Sequence, residues 1–235
     1  MPSIREWGKR LADGMGIPRY WINDCAFELK MSLVRMATYL PQYKRRLQAL
    51  SQSPEPLQLV FGCGDTRYPG WIGIDVFNGP TVDLKLDLRQ PLPFAEHSAS
   101  LCYSEHFFEH LYPDEGMRHL REVHRILRPH GVYRIAVPAA IRFVERYLAE
   151  DDDFFKLAFP WAERPMDAIR DIMHFRGSHR NILDFEELNH MGMAAGFAQV
   201  RSSSVNGSDI EALNIDRSEP QRVAETLYVE LVKGE

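Results

Sequence analysis

FGCGDTRYPGWIGIDV, residues 61–76, places two closely spaced glycines between two apolar stretches, and the second stretch ends in an acid. The pattern predicts a strand that enters a glycine turn at Gly62 and Gly64, followed by a strand with Asp75 at its end. Glycines at such a turn let a ligand approach the backbone, and a carboxylate at the next strand tip can accept hydrogen bonds from a ribose diol. The stretch therefore predicts a nucleotide-like ligand; the alternative is that the glycines only turn the chain.

The glycine spacing argues against a nicotinamide dinucleotide site. That fingerprint is G-x-G-x-x-G with an acid about 20 residues further on, whereas here the third glycine is missing and Asp75 follows much sooner. Only about seven residues separate Gly64 from the next strand, and a parallel crossover normally needs about a dozen. Either the connecting helix is reduced to a loop or a single turn, or the two strands are not parallel neighbours.

Short apolar stretches alternate with helical patterns after residue 57, which favours a mostly parallel sheet with helices on both faces, a three-layer α/β arrangement. The predicted strands are 57–62, 71–77, 82–88, 98–104, 131–138, 199–203 and 226–233. The predicted helices are 114–127, with Leu120, Val123 and Leu127 on its buried face, and 184–197, which Gly196 ends.

Polar residues follow the predicted ends of four strands. Besides the glycine turn and Asp75, these are Asp87 after the third strand and the run Ser104, Glu105 and His106 after the fourth. Ligands of open α/β sheets bind outside the carboxyl ends of the strands, so these residues are expected to gather there. Asp87 can instead form a turn before PLPF, and His106 can simply be a hydrogen-bonded histidine at the sheet edge.

Several strings, in this order, resemble the class I S-adenosylmethionine-dependent methyltransferases, most closely a small bacterial type. The resemblance covers roughly residues 57–138 and 176–233 and implies a seven-stranded, mostly parallel Rossmann-like sheet. The strings are LVFGCG (59–64), PGW (69–71), GIDV (73–76), PLPF (91–94), SEHFFEHL (104–111), LRPHG (127–131), AVPA (136–139), HRNILDFEELNHMGMAAGF (179–197) and LYVELVK (227–233).

The resemblance implies S-adenosylmethionine as the cofactor and methyl transfer to a small molecule, through an oxygen or nitrogen nucleophile held in line with the methyl group. The implied cofactor-binding residues are Phe61, Gly62, Cys63, Gly64, Asp75, Val76, Asp87, Leu88, Ser104 and Glu105. The glycine turn would pass under the amino-acid part, Asp75 would bind the ribose hydroxyls, and Asp87 would accept from the adenine amine. His106 and His179 are the candidate catalytic bases.

Three positions depart from the pattern of this family. His130 replaces a glycine, Ala139 an acid after V-P, and Ser100 an acid within the fourth strand. The loss of two acids leaves open a catalytically inactive, methyltransferase-like binding protein.

The string H-x-x-E-H at His106, Glu109 and His110 has the spacing of a zinc hydrolase. A catalytic zinc site needs a third protein ligand, and no other histidine stands in a recognisable ligand string. We therefore expect no metal ligand, and a zinc hydrolase is the less favoured alternative.

Composition excludes some partners. Lys and Arg total 28 against 33 for Asp and Glu, a net charge of −5, so no nucleic-acid partner is expected. Three cysteines without metal-type spacing and no signal-peptide pattern predict reduced thiols in a cytoplasmic protein. No stretch approaches the ~20 apolar residues that cross a bilayer. The sequence does not indicate an oligomeric state.

The chain divides into a predicted helical cap, residues 1–50, and an α/β domain, residues 51–235, with an insertion at about 140–180. Within the cap, a helical stripe is expected at Leu29, Leu33, Met36 and Leu40. The cap, with its aromatic residues Trp7, Tyr20 and Trp21, or the insertion is expected to act as a lid that excludes water.

Overall fold

The computed structural model describes residues 14–16, 19–51 and 55–235, and its centre is one seven-stranded sheet. The strands are β1 Leu57–Phe61, β2 Ile72–Asp75, β3 Leu84–Lys85, β4 Ala99–Glu105, β5 Leu127–Pro138, β6 Gln199–Ser203 and β7 Thr226–Val232. The helices are α1 Arg19–Ala37, α2 Pro41–Ser51, α3 Pro113–Ile126, α4 Ala140–Leu148, α5 Asp152–Ala158, α6 Pro165–His174, α7 Phe185–Ala195 and α8 Pro220–Glu225. Short 3-10 helices cover 108–110, 175–177 and 211–213.

The strand order is β3-β2-β1-β4-β5-β7-β6, and β7 runs antiparallel to the other six strands. The predicted fold class is therefore confirmed. The order reverses between β1 and β4, the point at which open α/β sheets bind ligands.

The short first crossover is a loop. β1 and β2 are parallel neighbours, with Leu59 opposite Ile72, and residues 62–71, all of which are described, contain no helix. Gly62 and Gly64 have φ values of 68° and 51°, which L side chains rarely adopt. These glycines let the chain reverse at once, so the first of the two alternatives for this connection is correct.

Strand β3 is shorter than predicted. The sequence predicts a strand over 82–88, but only Leu84 and Lys85 pair with β2. The Asp83 carboxylate accepts a hydrogen bond from the backbone N–H of Gly73 at 2.9 Å, so a side chain takes the place of a ladder bond there. Among the described strands β3 is at the sheet edge, so it has only β2 to pair with.

The helix that carries the predicted stripe is present as α1, which ends at Ala37, before Leu40. The apolar stripe faces outward. Leu29, Leu33 and Met36 are 65%, 60% and 66% exposed, whereas Met31 and Val34 are buried. The periodicity of apolar residues predicted the helix correctly but not which face packs against the domain, because both faces carry apolar residues. Trp21 is exposed as well, and Trp7 and the side chain of Tyr20 lie outside the described residues.

The insertion forms helices α4, α5 and α6 around its own small core. Its centre is Phe143, whose ring meets those of Phe155 and Phe159 edge to face. Asp151 caps α5 by accepting a hydrogen bond from the backbone N–H of Phe154, as expected for the acidic run there. None of the described helices combines the length and hydropathy that crossing a bilayer requires.

Replacing His130 by glycine is expected to stabilise the protein. His130 has a φ of 62°, a conformation that costs an L residue roughly 1–2 kcal/mol, while glycine pays roughly 0.5–1 kcal/mol in entropy. We expect the free energy of unfolding, measured by urea denaturation, to rise by about 0.5–1 kcal/mol. The matched control is Arg128→Gly at an exposed neighbour without a positive φ, which should lower stability. A loss of stability in His130→Gly as large as that in the control would contradict this explanation.

Candidate active site

Four adjacent parallel strands end at one edge of the sheet, and the predicted site residues lie there. Asp87 follows β3, Asp75 ends β2, the glycine turn 62–64 follows β1, and Glu105 and His106 are at the end of β4. The structure therefore brings the four groups together, although the sequence separates them.

Asp75 is tied to the glycine turn. Its Oδ2 accepts a hydrogen bond from the backbone N–H of Gly64 and its Oδ1 one from Phe77, both at 2.9 Å. Each carboxylate oxygen has a second lone pair, so the group can still accept hydrogen bonds from a ribose diol. Nothing lies within 4 Å of a Cβ built on Gly64, which leaves room above the turn. These residues fit the nucleoside part of S-adenosylmethionine.

Phe61 and Cys63 contribute backbone rather than side chain to this turn. The Phe61 ring is buried against His119, with ring centroids 4.9 Å apart. The Cys63 Sγ lies 3.8 Å from the carbonyl oxygen of Thr81, and burial raises the pKa of this thiol to about 11. The thiol therefore stays protonated near neutral pH.

The carboxylate of Asp87 already has two arginine partners. It is 1% exposed, and it accepts hydrogen bonds from the backbone N–H, Nε and Nη2 of Arg89 at 3.2, 2.9 and 3.1 Å. Arg35 Nε lies 3.3 Å from its Oδ2. One guanidinium group must move before an adenine amine can bind, so the adenine role of Asp87 stays a prediction.

The side chains of Ser104 and Glu105 also have partners. Ser104 Oγ lies 2.9 Å from Tyr133 Oη in the core, and Glu105 accepts a hydrogen bond from Tyr103 Oη at 2.9 Å. Arg222 Nε is 3.2 Å from Glu105 Oε1. The backbone of Ser104 and Glu105, rather than their side chains, is therefore available to line the cleft.

Val76 and Leu88 flank the same edge. Val76 is half-buried directly after β2. Leu88 is buried, and its carbonyl oxygen lies 3.1 Å from His119 Nδ1, which fixes the backbone after Asp87. The resemblance implies that Val76 packs on the adenine ring and that the Leu88 backbone lies near it, and both roles stay predictions.

His106 adopts a strained backbone directly after β4. Its φ is 49°, and its N–H donates to the carbonyl oxygen of Ala136 at 2.9 Å. Its Nε2 lies 3.0 Å from Thr226 Oγ1 and its Nδ1 3.6 Å from Glu109 Oε1. Burial holds the pKa of His106 well below its usual range, with help from the positive charge of Arg222. The ring is therefore neutral at pH 7.

His179 and Glu109 lie behind this turn. His179 Nε2 is 3.8 Å from Glu109 Oε1. Burial lowers the pKa of His179 to about 4 and raises that of Glu109 to about 8. The structure thus places both candidate histidines against one carboxyl group, a relation that their separation in sequence concealed.

Helix α1, which belongs to the predicted cap, lies across the same edge. Lys30 Nζ is 3.9 Å from the centre of the Phe77 ring after β2. Glu28 pairs with Arg89, which itself binds Asp87 after β3. The positions of Lys30 and Glu28 therefore put one half of α1 over β2 and β3.

The other end of α1 reaches the turn after β4. Asp24 Oδ1 lies 2.7 Å from Arg180 Nη2, and the backbone N–H of Arg180 donates to the carbonyl oxygen of Glu109 at 2.8 Å. From Asp24 to Arg35 a helix spans about 16 Å, and three strand spacings from β4 to β3 span about 14 Å. Helix α1 is therefore long enough to cross all four strand tips.

Residues 35–135 match the family model described as a methyltransferase domain. This segment contains the glycine turn, Asp75, Asp87 and His106. A comparison with curated proteins gave no match.

Several solved structures are similar to this chain at low identity. One is the 1,6-didemethyltoxoflavin-N1-methyltransferase of Burkholderia thailandensis with 1,6-didemethyltoxoflavin and S-adenosylhomocysteine bound (14% identity, 100% of this chain, 92% of that chain, TM-score 0.46). Another is a possible histamine N-methyltransferase of Thermotoga maritima (15%, 91% and 96%, 0.42). A third is a putative methyltransferase of Haloferax volcanii in complex with the Trm112 activator (17%, 80% and 88%, 0.42). At this level of identity, none of these similarities assigns a substrate to this chain.

Asp75→Ala is expected to weaken binding of S-adenosylhomocysteine, measured by isothermal titration calorimetry, by about 10–100-fold. Hydrogen bonds to a charged group contribute about 1.5–3 kcal/mol, and 1.4 kcal/mol corresponds to tenfold in affinity. The control is Asp114→Ala, because Asp114 is an exposed carboxylate on α3 paired only with Arg118 among the contacts described. Equal affinity in wild type and Asp75→Ala would remove Asp75 from the site.

Proposed function

We propose that this chain is a class I S-adenosylmethionine-dependent methyltransferase and that it methylates a small molecule at an oxygen or a nitrogen. The match of residues 35–135 to the family model described as a methyltransferase domain supports this proposal. The observation that carries the proposal is the convergence of the glycine turn, Asp75, Asp87 and His106 at one sheet edge. S-adenosylmethionine supplies, when bound, a methyl group already activated on a sulfonium.

The protein's own contribution is then mainly positioning. The Asp75 carboxylate and the backbone at Gly64 hold the nucleoside end, and the end of β4 lies beside the reacting groups. Holding two reactants in an attack geometry can contribute about 7–11 kcal/mol to lowering the barrier. A protein with this task needs few reactive side chains, which agrees with the neutral thiol of Cys63 and the neutral rings of His106 and His179.

Helix α1 supports a small acceptor. It crosses the strand tips and reaches Arg180, in the segment that follows the insertion, through Asp24. We propose that α1 and the insertion together form the lid, and that the acceptor fits beneath it. The net charge of −5 offers no general attraction for nucleic acid. The three free thiols fit a cytoplasmic location.

His106 is the base that we propose for an acceptor that must lose a proton. It directly follows β4, and its neutral ring can accept a proton. His179 is the other candidate, but its Nδ1 is 2.7 Å from the carbonyl oxygen of Ile172 and its Nε2 faces Glu109. The ring nitrogens of His106 also face partners, Thr226 Oγ1 and Glu109 Oε1. His106 is favoured over His179 because it directly follows β4 and because its side chain is 17% exposed, against 6% for His179.

The function is tested by incubating the protein and S-adenosylmethionine with pools of small hydroxyl and amine compounds. We expect S-adenosylhomocysteine and a product heavier by one methylene unit, both detected by mass spectrometry. Binding of S-adenosylhomocysteine without any product would favour the inactive binding protein. Failure to bind S-adenosylmethionine would contradict the proposal.

When the compound methylated in this screen is used as the acceptor, His106→Gln is expected to lower kcat by about 10²–10⁴-fold, the usual contribution of a general base. Affinity for S-adenosylhomocysteine should stay unchanged. Because the pKa of His106 is held below about 6.5, the wild-type rate should be level above that pH and fall only at lower pH, as the ring becomes protonated. A rate that already falls between pH 8 and pH 7 on acidification would exclude His106 as the base.

Met31→Asp is expected to weaken S-adenosylhomocysteine binding by about tenfold or more, because Met31 of α1 is fully buried and a charge there opposes docking of the helix. Leu33→Asp is the matched control, since it puts the same residue on the exposed face of α1. Calorimetry on both variants provides the test. Equal affinities in the two variants would show that α1 is not a lid over the cofactor.

A further inference from the structure

Glu109 is a buried carboxyl group without a hydrogen-bond partner. It lies in the 3-10 helix after β4 and is 1% exposed. Neither of its side-chain oxygens bonds to any described residue. An unpaired buried polar group costs free energy and is rare in folded proteins. The position therefore indicates a missing partner.

Two histidine rings approach this carboxyl group from different parts of the chain. One atom each from Glu109, His110 and His179 lie within 4.8 Å of one another, and the two rings have centroids 5.0 Å apart. Donor atoms bound to one zinc ion lie about 3.3 Å apart, from bonds of about 2.0–2.1 Å. Side-chain rotation must therefore close these separations by up to about 1.5 Å.

Hydrogen bonds to backbone carbonyl groups fix the orientation of both rings. His110 Nδ1 is 3.0 Å from the carbonyl oxygen of Ser178, and His179 Nδ1 is 2.7 Å from that of Ile172. A carbonyl oxygen only accepts, so each Nδ1 carries the hydrogen and each neutral ring keeps its lone pair on Nε2. Metal-binding histidines have this arrangement, in which a carbonyl or carboxylate fixes the other ring nitrogen.

We propose that Glu109, His110 and His179 bind one divalent transition-metal ion of the zinc type. Two imidazoles and one carboxylate suit zinc and similar ions, whereas magnesium and calcium prefer oxygen ligands alone. The string H-x-x-E-H had indicated His106, but the group of converging ligand atoms holds His179 in its place. The third ligand is His179, which stands in no ligand string, so the expectation of no metal ligand rested on a residue that only the fold brings near.

The ion would join two segments that already meet. The backbone N–H groups of Arg180 and Asn181 donate to the carbonyl oxygen of Glu109 at 2.8 and 3.1 Å. A metal held by Glu109, His110 and His179 would add a link between the turn after β4 and the chain leaving the insertion. It would fix the insertion against the strand tips and raise the stability of the fold, independently of methyl transfer.

The test is metal content and metal-dependent stability of protein made without a histidine tag. We expect about one zinc ion per chain by mass spectrometry, a lower Tm after chelation, and recovery of Tm on adding ZnCl2. Calorimetric titration of the chelated protein should give one site with a Kd below about 1 µM. A chelated protein that binds neither Zn²⁺ nor Co²⁺ and melts unchanged would overturn the proposal.

Variants locate the ion. His179→Asn keeps an amide N–H for the carbonyl of Ile172 and removes Nε2, and His110→Asn does the same toward Ser178. Glu109→Gln removes the carboxyl group that would ionise when the metal binds. Each should lose the zinc, whereas the control His190→Ala, at an exposed histidine of α7, should keep it.

Full zinc content in all three ligand variants would place the ion elsewhere and overturn the assignment. Should any variant fail to fold, the wild-type titration decides alone. All readouts are of bound metal, so they stand whether or not methyl transfer is found.

Discussion

The close approach of two turns determines the geometry of the candidate active site. A Cβ added to Gly62, in the turn after β1, would lie 2.7 Å from the Cβ of Phe107, in the turn after β4. Only a glycine fits at this distance, and its φ of 68° also favours glycine. Because β1 and β4 are neighbours at the point where the strand order reverses, this contact holds the two halves of the ligand-binding edge together.

Electrostatics then ties helix α1 to that edge through one carboxylate. Asp87 binds Arg89 and Arg35, and Glu28 contacts both of these arginines. Exposed ion pairs of this kind each contribute little, about 0–1 kcal/mol, but Asp87 itself is buried. The resemblance also gives Asp87 a place beside the adenine, so docking of α1 and binding of the nucleoside draw on the same group.

Local patterns predicted most of the fold and part of the site. The glycine turn, the acid at the end of β2 and the buried face of α3 follow from nearby residues, so they could be read from the sequence. Contacts between distant segments could not: Asp24 with Arg180, or His179 with Glu109, depend on how the insertion returns to the sheet. The outward stripe of α1 escaped prediction for a related reason, since periodicity gives a helix and not its docking partner.

The most direct measurement is a crystal structure of the protein with S-adenosylhomocysteine bound. The nucleoside is expected above the turn 62–64, with its ribose hydroxyls on Asp75 and helix α1 over it. Density for the ligand away from this edge, or an empty edge at saturating ligand, would contradict the convergence of the strand tips into one cofactor site.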